Sequence, residues 1–258
     1  MNFYVPAKEN TKLAALLKAV NADEELQQLW RCANTNAVSR CGISDHGEIH
    51  IQIIANAALK LLRLLVEGDI TPSVVEHHKL TNHDAEVIVV LAACLHDVGI
   101  GIHRHDHEKY SLIIAYPKAR QLLEGIYREP EITIIVSEVL HAIVSHNAAE
   151  QCLTIEAGVL KVADALDMSK GRSRIPFEAG GVNIHSVSAQ AVDDVSITKG
   201  ETRPVQIDIT LTNSAGIFQV DELLRKKLVN STLAPYVEVA ARLKEGEGER
   251  RILEMVRL

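Results

Sequence analysis

The sequence predicts a mainly α protein, with a helical bundle over residues 1–174 and a small C-terminal α+β unit over residues 175–258. Three observations carry this reading. Apolar residues recur at helical spacing from about Lys12 to Lys170. The segment GRSRIPFEAGG then interrupts the pattern with glycine, proline and charge. Beyond it, VNIHSVSAQAVDDVSI and PVQIDITLT alternate with period two. At 258 residues, the chain can bury one substantial core, or one large and one small domain.

In chain order, Leu13, Leu16, Leu17 and Val20 open the first helical stripe. Ile53, Ile54, Ala57, Ala58, Leu61, Leu62 and Leu65 make the second, and Gly68 ends it. Thr81 or Asn82 is placed to cap the helix running through EVIVVLAACLHD, with Gly99 as its stop. Pro117 is expected to break or kink the helix begun near His107. Two more helices are expected over residues 131–146 and 155–168. The period-two segments read as three short strands, with KGET as the turn before the last of them. VDELLRKKLVNSTLAPYVEVAARL then returns to helix, and the charge run from Lys244 to Arg251 reads as a solvated helix face. Three short strands need a covering surface, so the apolar faces of this unit also make it a candidate homodimerisation element.

Composition narrows the function. A net charge of −7 argues against broad binding to nucleic acid or an anionic membrane, because both require excess cations. No continuous apolar run approaches a bilayer span, and MNFYVPAKENTKLAALL lacks the pattern of a signal peptide, so a cytoplasmic location with no membrane partner is expected. Cys32, Cys41, Cys94 and Cys152 show no CxxC spacing, which favours reduced thiols over a thiolate zinc site. GxSxG and GxxxxGK[ST] are both absent.

The chemistry concentrates on the doublet His96-Asp97 in ACLHDVGIG. It ends an almost wholly apolar helix, where an unpaired buried carboxylate would cost several kcal/mol. A bound cation removes that cost, and imidazole plus carboxylate is a ligand mixture suited to transition metals. His46 and His50 are four residues apart, which on a helix would set both on one face. Asp164 is another acid in an apolar helical stretch, with Asp167 as its rival. A lone helical histidine is more often a hydrogen-bonded structural residue than a ligand. The order His, His-Asp, further His and then Asp, each within helical sequence, is much harder to obtain by accident.

From about Asp45 to Arg174 this pattern resembles the HD-domain metal-dependent phosphohydrolase superfamily. By motif, the first histidine, the doublet and the distal aspartate of that family correspond to His50, His96, Asp97 and Asp164. HEKYSL and LHAIVSHN are similar to the dinuclear, His-rich subgroup, and the resemblance adds His107 and His146 as metal ligands. His141 lies five residues before His146, on a different side of a helix, and stands as a lesser candidate or an ordinary helix histidine. The HxxxH spacing also resembles the cyclic-nucleotide phosphodiesterases, which would make His46 a proton donor; in other relatives that position touches metal. SHNAAEQ contains no GYP sequence, so specificity for cyclic di-GMP is not implied.

The resemblance implies hydrolysis of a phosphomonoester or phosphodiester, in a nucleotide or another small phosphorylated molecule, by metal-activated water. Asp97 would bridge two divalent ions. Fe or Mn is favoured, with Zn, Ni, Co or Mg as other fits. His103 and Arg104 after the doublet, and Lys170, Arg172 and Arg174 after Asp164, are candidate phosphate-binding residues. Two other readings stand beside this one: a di-iron oxygenase on an HD-like fold, and a non-catalytic, metal-stabilised sensor or assembly module.

Overall fold

The computed structural model describes residues 2–168 and 188–244, and the backbone of 255–257. Helices α1 (Thr11–Ala22) and α2 (Glu24–Asn34) are followed by a π-helical turn, and then by α3 (Glu48–Glu67), α4 (Ser73–His78), α5 (Asn82–Leu95), α6 (His107–Leu122), α7 (Glu131–Ser145) and α8 (Ile155–Leu166). Side chains close the starts of several helices. Asn10 accepts from Leu13 N–H on α1, and Thr154 accepts from Ala157 N–H on α8. Thr81 and Asp84 form a reciprocal capping box on α5.

Every residue of α5 from Asp84 to Leu95 is buried. A helix that is apolar on all sides belongs at the centre, and α5 is accordingly packed by α1, α3, α4, α6, α7 and α8. Among the described residues, α3 is the one helix long and apolar enough to cross a membrane. Its face from His50 through Leu65 is buried, and the helix packs on α5 and α8.

Pro117 lies within α6, which runs through it unbroken. A proline there forfeits the hydrogen bond to the Ile113 carbonyl. Both residues are exposed, so water can satisfy that carbonyl.

The C-terminal part is a sheet in the order β1 (Val192–Lys199), β2 (Val205–Leu211), β3 (Val237–Leu243), β4 (Met255–Arg257). β1 and β2 form the expected antiparallel hairpin around KGET, with Ile197 opposite Ile207. β3 pairs in parallel with β2, placing Val239 beside Ile207, and β4 is antiparallel to β3. Between β2 and β3 the chain passes through a π-helical stretch, Gln219–Arg225, into the short helix α9 (Lys226–Val229). The expectation of helix through PYVEVAARL is therefore corrected to a strand. Val237, Val239 and Ala241 alternate inward, whereas Val237, Ala240 and Ala241 would share one face of a helix, and pairing with β2 decides between the two periods. The expected strand in VNIHSVS falls largely outside the described residues, as does most of the charge run after Lys244. Residues 188–190, which that strand reading would extend into, are helical.

β1 and β2 lie on α3, and the segment 219–229 lies on α8. Val192, Ile207, Leu211 and Val239 join Leu61, Leu65 and Val159 in one continuous apolar core. Of the apolar residues that suggested a joining surface, Val220, Leu224, Leu228, Leu233, Val237 and Val239 are buried within the chain and Val229 is exposed.

Candidate metal centre

Five helices deliver polar side chains to one end of the bundle. His50 lies in the first turn of α3, His96 directly follows α5, His107 opens α6, His146 directly follows α7, and Asp164 occupies the last turn of α8. Asp97 follows His96 with φ −107° and ψ 1°, in the sparsely populated bridge region. All six side chains are buried or nearly so.

The backbone around the doublet is tied to α6. Ser111 Oγ donates to the His96 carbonyl at 2.6 Å and accepts from Gly99 N–H at 2.9 Å. A Cβ on residue 99 would come within 2.2 Å of the His107 carbonyl oxygen and 2.3 Å of Ser111 N. Only glycine lets the start of α6 approach this closely.

The imidazoles are oriented through Nδ1. His96 Nδ1 faces the Ala93 carbonyl at 2.9 Å, His146 Nδ1 the Ile143 carbonyl at 2.5 Å, and His107 Nδ1 the Arg104 carbonyl at 3.1 Å. His50 Nδ1 faces the Asp167 carboxylate at 2.6 Å. At His50, His96 and His146 the carbonyl or carboxylate at Nδ1 calls for N–H there, leaving the Nε2 lone pair as the inward-facing donor to a metal, whereas His107 Nδ1 also faces the Arg104 guanidinium at 2.8 Å.

Those Nε2 atoms surround Asp97 in two sets. Asp97 Oδ2 lies 3.3 Å from His50 Nε2 and 3.2 Å from His96 Nε2. Asp97 Oδ1 lies 3.0 Å from His107 Nε2 and 3.7 Å from His146 Nε2. Asp164 Oδ1 joins the first set, 3.6 Å from His50 Nε2 and 3.9 Å from His96 Nε2. Within each of the groups His50/His96/Asp97, Asp97/His107/His146 and His96/His146/Asp164, the donor atoms lie within 4.8 Å of one another.

Burial acts to raise the Asp97 pKa, but His96, His107 and His50 overcome it and hold the carboxyl well below its usual range. Burial likewise opposes ionisation of Asp164, and Lys227, His96, His50 and His146 reverse the balance. At His96, burial disfavours the charged ring, yet Asp97 and then Asp164 push its pKa up. At His146, burial and the neighbouring His96 hold the pKa well down. Lys227 supplies positive charge at Asp164, whereas Asp97 faces imidazoles, which can supply it only by taking up buried protons.

A metal ion fits that demand. His50 Nε2 and His96 Nε2 are buried without a hydrogen-bond partner, and His107 Nε2 faces His146 Nε2 at 3.3 Å. Unpartnered buried nitrogens and paired lone pairs are costly unless a cation lies between them.

Comparison with known proteins agrees with this geometry. The HD-domain family profile matches residues 70–169. An uncharacterized protein, MJ1020 of Methanocaldococcus jannaschii, is 41% identical over 234 residues, covering 91% of this chain and 89% of that protein. The chain belongs to the HD-domain family. No solved structure matches the chain significantly. HD domains are mostly hydrolases that use divalent metal, and the His/Asp cluster is compatible with the HD metal site. The matched span contains His96, Asp97, His107, His146 and Asp164, and His50 precedes it.

The remaining expected residues are placed unequally around this HD centre. His46 precedes α3 instead of lying on it, so the shared-helix-face argument does not apply. It still arrives beside the cluster, because Asn34 Oδ1 holds its backbone N–H at 3.0 Å and the ring centroid lies 5.2 Å from that of His50. Arg104 reaches the outer side of the His107 ring, with Nη1 2.8 Å from Nδ1. His103 is exposed on the same loop, its Nδ1 accepting from His105 N–H at 3.0 Å. His141 stands apart from the cluster, its Nε2 accepting from Leu153 N–H at 3.1 Å. Lys170, Arg172 and Arg174 lie outside the described residues.

Two neighbours of the centre escaped the sequence reading. Asp167, read as a rival to Asp164, instead orients His50 from just beyond α8. Its signal was the i+3 spacing from Asp164, which suits a supporting role as well as a ligating one. Lys227 of α9 pairs with Asp164 Oδ2. No local pattern links two residues 63 positions apart.

Proposed function

We propose that this chain is a metal-dependent phosphohydrolase that cleaves a phosphomonoester or phosphodiester, in a nucleotide or another small phosphorylated molecule. One observation carries the reading: the two oxygens of Asp97 face separate pairs of imidazole Nε2 atoms. His50, His96, Asp97 and Asp164 would hold one divalent ion, and Asp97, His107 and His146 a second. Such ions, with Fe or Mn favoured by this donor set, polarise phosphoryl oxygens and supply an activated water.

The chain's own residues contribute orientation, burial and proton control. Asp167 and the carbonyls at Nδ1 fix the rings, so donor geometry is set before substrate arrives. Burial keeps bulk water from competing for the carboxylates. His46 lies outside the donor groups but next to them, which suits a proton donor to the leaving oxygen. Its Nδ1 lies 2.6 Å from the Ser44 carbonyl, which orients the ring and leaves Nε2 as the atom that would exchange a proton. His103, Arg104, Lys170, Arg172 and Arg174 are proposed to meet the negative charge of the phosphate.

The test is metal analysis of anaerobically purified protein, followed by phosphatase and phosphodiesterase substrate panels with each candidate metal. Asp97→Ala is expected to lose metal and abolish hydrolysis. Arg104→Ala should keep its metal and lower turnover, a lost donor costing on the order of 3 kcal/mol at the transition state. Full activity of Asp97→Ala at saturating metal would overturn the hydrolytic centre.

A further inference from the structure

The six donor residues all lie between His50 and Asp164, yet a cation from far along the chain reaches them. Lys227 Nζ pairs with Asp164 Oδ2, while Asp164 Oδ1 faces His50 and His96. The lysine is mostly buried, its side chain 17% exposed. Asp164 belongs to the His96/His146/Asp164 group that joins the two donor sets, so the ammonium adjoins that group.

Lys227 is also fixed in place from behind. Asn230, three residues on, donates from Nδ2 to the Ala148 carbonyl at 2.8 Å and accepts from Cys152 N–H at 3.0 Å through its own carbonyl. Both partners lie on the loop that follows His146. The buried ammonium of Lys161 donates to that loop at the Glu150 carbonyl and lies 3.4 Å from the Asn230 carbonyl. Next to this, Thr232 Oγ1 donates to the Thr154 carbonyl at 2.9 Å. A Cβ on Gly158 would lie 2.5 Å from Thr232 Oγ1, so α8 and the turn that follows α9 are in tight contact. The short helix is thereby held against α8 and the loop that follows His146, with Lys227 beside the donor cluster.

We propose that Lys227 is a substrate-binding residue that contacts the phosphate, so that the C-terminal unit completes the site formed by the HD domain. This rests on the phosphohydrolase reading above. An ammonium carries three donors and Asp164 Oδ2 takes one, leaving two for phosphoryl oxygens. A lysine already bonded to a metal-site carboxylate, on a helix fixed from behind, delivers positive charge without the entropy of ordering a free side chain.

The experiment is calorimetric titration of inorganic phosphate into metal-loaded full-length protein, with metal content measured on the same samples. Lys227→Met is expected to keep its metal and to weaken phosphate binding by about tenfold or more, as loss of a charge-assisted contact should. Lys227→Arg should restore most of that affinity. Lys226→Met, which removes the neighbouring exposed cation, should leave it unchanged. If Lys227→Met does not fold, Lys227→Gln answers the same question by keeping a donor to Asp164 while removing the charge. Phosphate affinity equal to wild type in a folded, charge-free variant would overturn the assignment while leaving the phosphohydrolase reading intact. Loss of metal in parallel with phosphate would also overturn it, making Lys227 part of the scaffold of the metal site. Metal-loaded wild-type protein that neither binds phosphate nor hydrolyses phosphate esters would overturn both readings together.

Discussion

His96 and His146 each sit just past a helix end, and each places Nδ1 against a carbonyl three residues back, at 2.9 Å and 2.5 Å. A helix terminus leaves such carbonyls with spare acceptor capacity, so the same local feature supplies both the orienting acceptor and the exit toward the cluster. His50 lies inside α3, where the backbone carbonyls are already used, and turns to Asp167 at 2.6 Å. Asp167→Asn keeps the shape but removes the charge that fixes this ring. Metal affinity, measured by chelator competition, is expected to fall about 10- to 100-fold while the far-UV spectrum stays unchanged. Unaltered affinity would mean that packing alone orients His50. Asp97 and Asp164 are legible in the sequence as acids set in apolar helical runs, whereas His107 and His146 enter only through the family resemblance. The supporting residues are not legible there, since Asp167 and Lys227 act through contacts that span 117 and 63 positions.

At the scale of the element, sequence periodicity is most informative where the surroundings of a helix are uniform. α5 is apolar on every side and central, and α7 and α8 fall close to their expected spans. The reading weakens where a neighbour decides the outcome, as at the exposed Pro117 in α6 or in β3, which is claimed by β2. α7 also carries an electrostatic burden near α4 and α8. Glu138 Oε2 is buried without a hydrogen-bond partner, and its other oxygen lies 3.5 Å from His78 Nε2. Burial, followed by repulsion from Glu156, raises the Glu138 pKa despite His77 and His78. Because the folded-state pKa lies above the unfolded one, ionising Glu138 costs more in the fold than in the open chain. That penalty is absent below the unfolded pKa of about 4.5 and grows as pH rises through the folded value. Glu138→Gln should therefore melt at a higher temperature than wild type near pH 8, with the gap closing toward about pH 4. A gap that is constant across this range would show that the gain, if any, comes from packing and not from charge.

Across the whole molecule, the division between helical and strand-rich sequence is plain along the chain, whereas the way the two parts share one interior is not. Period-two patterning announces β2, with Val205, Ile207, Ile209 and Leu211 all buried, but says nothing about the helix that will cover them. In the fold, β1 and β2 meet α3, Lys199 reaches Glu67 at 2.8 Å, and Ile207 and Val239 join the same core as Leu61 and Trp30. Trp30 is the single tryptophan in the chain and lies in α2, so its fluorescence reports on the helical part alone. Ile207 is fully buried between Ile197 and Val239 on the neighbouring strands. Ile207→Ala should cost about 2–5 kcal/mol through lost burial and the cavity left behind. If one core holds both parts, the denaturant midpoint seen by Trp30 must fall together with the midpoint seen by circular dichroism, although no strand lies near that tryptophan in sequence. A Trp30 transition that stays at the wild-type midpoint while the dichroism develops an earlier phase would instead show that the sheet and the helical domain unfold independently.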